Sequence, residues 1–206
     1  MILTAYIFGY VSLLIELIFF HVPSVANTKN FFIKNNSYKS SKSKLIQQIN
    51  SWTLLKKIFF LLLPTIIINF YFLAPFLIFS PKIEFFLMFN PSLWVKIIGL
   101  ALIILGRIIT FGSMIYIRKE NHQVENSFKL HTQGIFAYSR NPGLDGMFLF
   151  FAGFGLIFPS LILWLGLIFY YYYMVFRVKI EEEFLKELFQ ETYSEYCSKT
   201  KRFLLF

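Results

Sequence analysis

The chain has little charge, little histidine and almost no cysteine. Only 15% of its 206 residues are charged, and a single cysteine, Cys197, stands beside 28 phenylalanines. One cysteine excludes an intramolecular disulfide and a cysteine-rich zinc site. The three histidines, His21, His122 and His131, are scattered without ligand spacing, so no metal is expected. There is no internal repeat, no glycine-rich phosphate loop and no Gly-x-Ser-x-Gly elbow. What is there is apolar: 57% of the residues are hydrophobic and 21% aromatic, which excludes disorder. The formal net charge is nevertheless +9. A basic balance alone would suit nucleic acid, but such a domain does not carry apolar runs of bilayer length, and no nucleic-acid partner is expected. The composition is that of a polytopic membrane protein whose first partner is the lipid bilayer.

A hydrocarbon core about 30 Å thick takes ~20 residues of apolar helix. The first such run, 1–20, has no basic leading segment and no small-residue cleavage site, so it reads as a retained helix and not a signal peptide. The second, 51–79, contains Pro64 and Pro75, where kinks are expected. The third is 93–117. The fourth region, 147–176, is too long for one comfortable span, and Phe158-Pro159-Ser160 near its middle predicts a helical hairpin with Pro159 near the tip. The expected fold class is all-α, a polytopic membrane helix bundle of about five transmembrane helices with a C-terminal helical hairpin and an amphipathic tail helix. Residues 1–92 would form an N-terminal pair of helices with a lysine-rich loop, and 93–206 the functional core.

The basic residues set the orientation. The segment 21–50 holds Lys29, Lys34, Lys39, Lys42 and Lys44, with Lys56 and Lys57 following, whereas 80–92 holds only Lys82. Arg118, Lys119, Lys129 and Arg140 lie between the third and fourth helices, and six more basic residues follow Phe176. With alternating helices the rich groups share one side, which the positive-inside rule makes cytoplasmic. The N-terminus is then outside and the C-terminus cytoplasmic. The lysine-rich loop reads foremost as a topology signal, with an acidic-lipid or nucleic-acid patch as the alternative.

Two places on that side concentrate polar groups. In the stretch 130–146, Pro142 pushes Asn141 out of the helical region, and Asn141-Pro142-Gly143 is a strong turn signal. Arg140 therefore sits at a sharp turn just before a membrane helix, either snorkelling to lipid phosphates or facing a partner. In the stretch 181–196, Leu185, Leu188, Phe189, Thr192, Tyr193 and Tyr196 share one helical face. It reads as an amphipathic surface helix or the continuation of the fifth span. Glu181-Glu182-Glu183 at its start repel one another, so a cationic ligand or a facing arginine explains them better than a helix dipole does.

Together the two stretches resemble the isoprenylcysteine carboxyl methyltransferase family and its phospholipid methyltransferase relatives. The first family signature, Leu-x-x-x-Gly-x-Tyr/Phe-x-x-x-Arg-His/Asn-Pro-x-Tyr-x-Gly, is met by Leu130, Gly134, Phe136, Arg140, Asn141, Pro142 and Gly146. The second, Glu-Glu-x-x-Leu-x-x-x-Phe-Gly-x-x-Tyr-x-x-Tyr, is met by Glu181, Glu182, Leu185, Phe189, Tyr193 and Tyr196, followed by Arg202-Phe203-Leu204. The resemblance spans roughly residue 99 to the C-terminus. Leu144 stands where the family has Tyr, Gln190 where it has Gly, and the final Pro is absent. Asp145 at the helix start is unusual, and would pair with Arg140 or face the site.

The resemblance implies an integral membrane S-adenosyl-L-methionine-dependent methyltransferase acting on a lipid-like or isoprenoid acceptor, by carboxyl O-methylation or phospholipid amine N-methylation. It implies a cofactor pocket shaped by Thr132, Gly134, Phe136 and Tyr138, and walled by Arg140, Asn141, Pro142 and Gly146. Glu181 and Glu182 would accept hydrogen bonds from the cofactor or hold Arg140, and Tyr193 and Tyr196 would close the pocket. Arg140 and Glu182 are the residues expected to carry catalysis, with Arg140 anchoring a carboxylate. The alternatives are an NADPH-dependent reductase resembling the steroid 5-alpha-reductase family, and a non-enzymatic membrane protein keeping the fold. The reductases share a Gly-x-Phe-x-x-x-Arg-x-Pro pattern but follow it with Gly-Glu, where this chain has Gly146-Met147. Glu16 would either line an acceptor site or pair with Lys96 or Arg107.

Overall fold

The computed structural model describes residues 2–16, 18, 43–63, 66–67, 88–123 and 130–204. Pro64, Pro75, His21, Lys82, Lys129 and the loop lysines from Lys29 to Lys42 lie outside them, as does most of the expected second span. Among the described residues the chain is helical, with one isolated parallel bridge, Ser139 to Lys201. The helices are α1 (Ile2–Glu16), α2 (Lys44–Asn50), α3 (Leu54–Lys57, running on as a π turn over Ile58–Leu62), α4 (Leu93–Gln123), α5 (Pro142–Ile157) and α6 (Leu161–Lys199). A 3₁₀ turn, Gly134–Ala137, precedes α5.

Two described helices are long and apolar enough to cross a membrane: α4 over Leu93–Ile117, and α6. α1 and α5 are apolar but shorter, so the described residues establish two such helices and not five. The expected hairpin is present. α5 stops at Ile157, Phe158-Pro159-Ser160 is non-helical, and α6 starts at Leu161. The Pro159 carbonyl at its tip accepts the Met88 N–H at 2.8 Å, beside the start of α4. α5 begins five residues earlier than the hydropathy suggests, because Pro142 takes the first helical position, where a missing N–H costs nothing.

At 39 residues α6 is roughly 58 Å long, nearly twice the hydrocarbon core. Its apolar part ends at Phe176, and the polar stretch from Arg177 onward lies beyond the span. The tail is thus a continuation of the last membrane helix. It breaks once, at Gln190, whose φ of 45° is in the region that favours glycine. Gln190 stands where the resembled family carries Gly, and its backbone takes a conformation that strains a residue with a side chain.

α4 and α5 pack antiparallel through two pairs of glycines seven residues apart. A Cβ on Gly106 would lie 2.4 Å from the Gly146 carbonyl, and one on Gly153 would lie 2.5 Å from the Gly99 carbonyl. The backbones touch at these two levels, and Ile103 and Phe150, both fully buried, fill the space between. Small residues are the means by which membrane helices gain packing area, since lipid tails leave no hydrophobic gradient to drive association. On the other side of α5, the Phe151 ring meets Tyr170 of α6 edge-on and the Phe148 ring meets it tilted, at 5.3 and 5.6 Å between centroids.

α1 is held to this core by an ion pair. Arg107 of α4, 1% exposed, donates to Glu16 at 2.6 Å and to the Ser12 carbonyl at 2.9 Å. Its guanidinium lies over the rings of Phe111 and Phe150, 4.5 and 5.0 Å from their centroids. Glu16 therefore pairs with Arg107, whereas Lys96 reaches Asn90 at the start of α4. An apolar groove of about 660 Å³, lined by Ile7, Val11, Ile15 and Ile108 among others, runs between α1 and α4 beside this pair.

Candidate functional site

The site is built where the chain enters α5 and where the tail returns after α6. Residues 139–141 and 200–204 lie side by side. The Arg140 N–H donates to the Lys201 carbonyl at 2.9 Å, and the Asn141 side-chain amide donates to the Arg202 carbonyl at 3.0 Å. Below them Asp145 is buried in the first turn of α5. It accepts the Ser139 hydroxyl at 2.5 Å and the Leu204 N–H at 3.0 Å. Asp145 thus ties the tail to the turn and takes no contact from Arg140, which corrects one of the two roles expected for it.

The three consecutive acids of α6 point in three directions, as 100° per residue requires. Glu181 is exposed and pairs with Arg177 one turn back, at 3.3 Å. Glu183 accepts the Ser43 hydroxyl and Glu187 accepts the Ser43 N–H at 2.5 Å, which joins the start of α2 to α6. Glu182 alone points inward, with its side chain 7% exposed. It receives Arg140 Nη1 at 3.1 Å, and both Arg202 Nε at 3.0 Å and Arg202 Nη2 at 2.6 Å. The repulsion that the triple-acid run implies is relieved by separate partners on separate faces. Hydrogen bonding to Glu182 raises the Arg202 guanidinium above its ordinary value, so it stays charged throughout.

Two guanidiniums share one carboxylate, which leaves a surplus positive charge in a half-buried cluster. Arg140, 13% exposed, also donates to the Cys197 thiol, and its Nε is buried without a partner. Tyr193 is buried beside Cys197, and Tyr196 donates its hydroxyl to the Phe136 carbonyl at 2.6 Å. Burial pushes the Tyr196 phenol up to about 12, so it remains a neutral donor at any working pH.

The sequence-expected residues divide into three groups. Arg140, Asn141, Glu182 and Tyr193 converge on the cluster described above. Phe136 is buried against Tyr116 and His131, with centroids 5.7 and 5.9 Å away, and Gly134 turns at φ +62° with the Tyr116 ring 3.0 Å from where a Cβ would be. These two, with half-buried Thr132, shape the loop that reaches the cluster through the Tyr196 bond. Pro142 is buried at the start of α5. Tyr138 is 74% exposed and Glu181 faces outward, so neither joins the cluster. Gly146 is in the α4–α5 seam against Gly106 and Thr110, where its smallness serves helix packing.

Sequence reasoning passed over Ser139, Cys197 and Arg202 as site residues. Arg202 was visible within the basic segment of the second signature, but nothing in its spacing showed that it returns to Glu182.

Chemically, the cluster offers a fixed cationic surface for an anion, beside an apolar helix hairpin. A carboxylate fits the surplus charge and the unpaired Arg140 Nε. Glu182 accepts two hydrogen bonds from Arg202 and pairs with Arg140, so its oxygens are directed at arginine. The sequence profile of the phospholipid methyltransferase family matches residues 94–192, which run from α4 through the turn and hairpin and include Arg140 and Glu182. No curated protein and no solved structure matches the chain.

Proposed function

We propose that this chain, a member of the phospholipid methyltransferase family through residues 94–192, is an S-adenosylmethionine-dependent methyltransferase of the membrane with a lipid-like or isoprenoid acceptor. The observation that carries the reading is the Arg140–Glu182–Arg202 cluster with its surplus positive charge, set at the turn into α5. Arg140 would receive the cofactor's carboxylate, held in place by Glu182. Asn141 and Pro142 would form the adjoining wall, and Phe136 with Gly134 would bring the preceding loop against it. The cofactor, when bound, supplies a methyl on a cationic sulfur, which passes to an acceptor oxygen or nitrogen and leaves S-adenosylhomocysteine.

Such a displacement needs alignment far more than acid–base groups. The hydrogen-bonded fastening of 139–141 to 200–204 supports that demand for rigidity. A site at the end of the apolar hairpin also spares a polar cofactor and an apolar acceptor full desolvation. The groove between α1 and α4 supports a lipid-like partner on the flank of the bundle. Five membrane helices, with the N-terminus outside and this cluster on the cytoplasmic side, complete the proposal.

Incubation with labelled S-adenosylmethionine and a lipid extract tests it. Label should enter a lipid fraction, and base-labile label would mark a carboxyl acceptor while base-stable label would mark an amine. No transfer to any lipid-like fraction would sink the acceptor class.

A further inference from the structure

Arg202 does not share Glu182 equally with Arg140. It grips both carboxylate oxygens, through Nε at 3.0 Å and Nη2 at 2.6 Å, while Arg140 reaches one oxygen through Nη1 at 3.1 Å. A two-point fork fixes the plane of a carboxylate, and a single contact then takes its direction from that plane. Arg202 is itself 37% exposed and is anchored through its own carbonyl to Asn141. The chain before and after it is fastened as well, Lys201 to the Arg140 N–H and Leu204, two residues on, to Asp145.

We propose that Arg202 is a positioning residue: by occupying Glu182 at both oxygens it keeps the Arg140 guanidinium aimed and incompletely neutralised, so that the tail 200–204 is a working part of the anion site. The inference rests on the reading that Arg140 receives the cofactor's carboxylate. Its physical content is competition. Without Arg202, Glu182 becomes free to pair one-to-one with Arg140, which cancels the surplus charge and turns Arg140 from an incoming anion. Arg202 would then govern ligand affinity without touching the ligand.

The test uses the full chain in detergent, with S-adenosylhomocysteine as the probe and Lys199→Ala as a tail control that removes one exposed positive charge. Arg202→Ala should weaken binding about tenfold, and Arg202→Lys, which keeps the charge but loses the fork, should fall between. The double variant Arg202→Ala with Glu182→Gln should bind more tightly than Arg202→Ala alone, because the competing carboxylate is gone. A merely structural role predicts the opposite order. Binding by Arg202→Ala within about twofold of wild type, or a double variant weaker than the single, overturns the proposal.

If wild type binds no S-adenosylhomocysteine, the cofactor reading fails, and the positioning claim is read from Cys197, the one thiol in the chain. Arg202→Ala should then lower its maleimide labelling rate severalfold relative to wild type and Lys199→Ala, because the positive charge beside the sulfur is removed or drawn onto Glu182. An unchanged rate overturns the claim independently.

Discussion

Arg107 and Arg140 are both arginines held by a glutamate, and they differ in charge balance. Arg107 meets Glu16 at 2.6 Å, is sealed from solvent and is covered by two phenylalanine rings. Arg140 shares Glu182 with Arg202 and keeps some exposure; the Nε of each arginine is buried without a partner, so the difference lies in the shared carboxylate and the exposure. The balanced pair is a staple that joins α1 to the core. The cluster sets two guanidiniums on one carboxylate and so retains positive charge. An arginine near a membrane helix therefore reads as structural or functional by how completely its charge is answered, more than by its depth.

The sharpest way to break the contrast is to unbalance the staple. Arg107→Ala removes the guanidinium from the buried Glu16 carboxylate, and should cost about 3–5 kcal/mol. Replacing both partners with apolar residues, Glu16→Leu with Arg107→Met, should return stability to within about 1 kcal/mol of wild type. Thermal unfolding in detergent measures both. A double variant as unstable as the single would show that Arg107 does more than neutralise Glu16.

The counterpart change at the other arginine should leave folding intact. Arg140→Ala is expected to lower methyl transfer at least about hundredfold, with only a small change in unfolding temperature. Retained activity in that variant would erase the distinction between the two arginines.

A smaller effect separates the α4–α5 seam from the outer surface of α4. Gly106→Ala puts a Cβ 2.4 Å from the Gly146 carbonyl and should cost roughly 1–3 kcal/mol, whereas a Cβ on Gly112 meets nothing within 4 Å. Gly112→Ala should be neutral or slightly stabilising by helix propensity. Equal effects on unfolding would mean that the two helices do not touch at Gly106.

The smallest change expected is a gain. Gln190→Gly relieves a positive φ and should stabilise by about 1 kcal/mol, less the added freedom of the unfolded chain. A loss of stability on calorimetry would mean that the Gln190 side chain contributes more than its backbone strains.

Local signals carried much of this structure. Pro159 placed the hairpin tip and Asn141-Pro142 placed the turn before α5, whereas the kink at Gln190 had no sequence signal beyond the replacement of the family's Gly. The heptad spacing of Gly99 with Gly106 and of Gly146 with Gly153 was equally present, but nothing local says which glycine pairs face each other. Gly146 consequently read as a pocket residue. Contacts across long stretches of chain were harder still. Ser43 meets Glu183 and Glu187 some 140 residues away, and Leu204 meets Asp145 across 59. Such pairings are set by how helices dock, and a single sequence holds no record of them. Glu182 was legible as a residue that wants an arginine, while the second arginine on it was not.

Titration of S-adenosylhomocysteine and, separately, NADPH into wild type and Arg140→Ala, followed by unfolding temperature in detergent, tests the central claim most directly. The account predicts that S-adenosylhomocysteine stabilises wild type, that NADPH does not, and that Arg140→Ala loses the shift. No shift in wild type at millimolar S-adenosylhomocysteine, or an undiminished shift in Arg140→Ala, would contradict it.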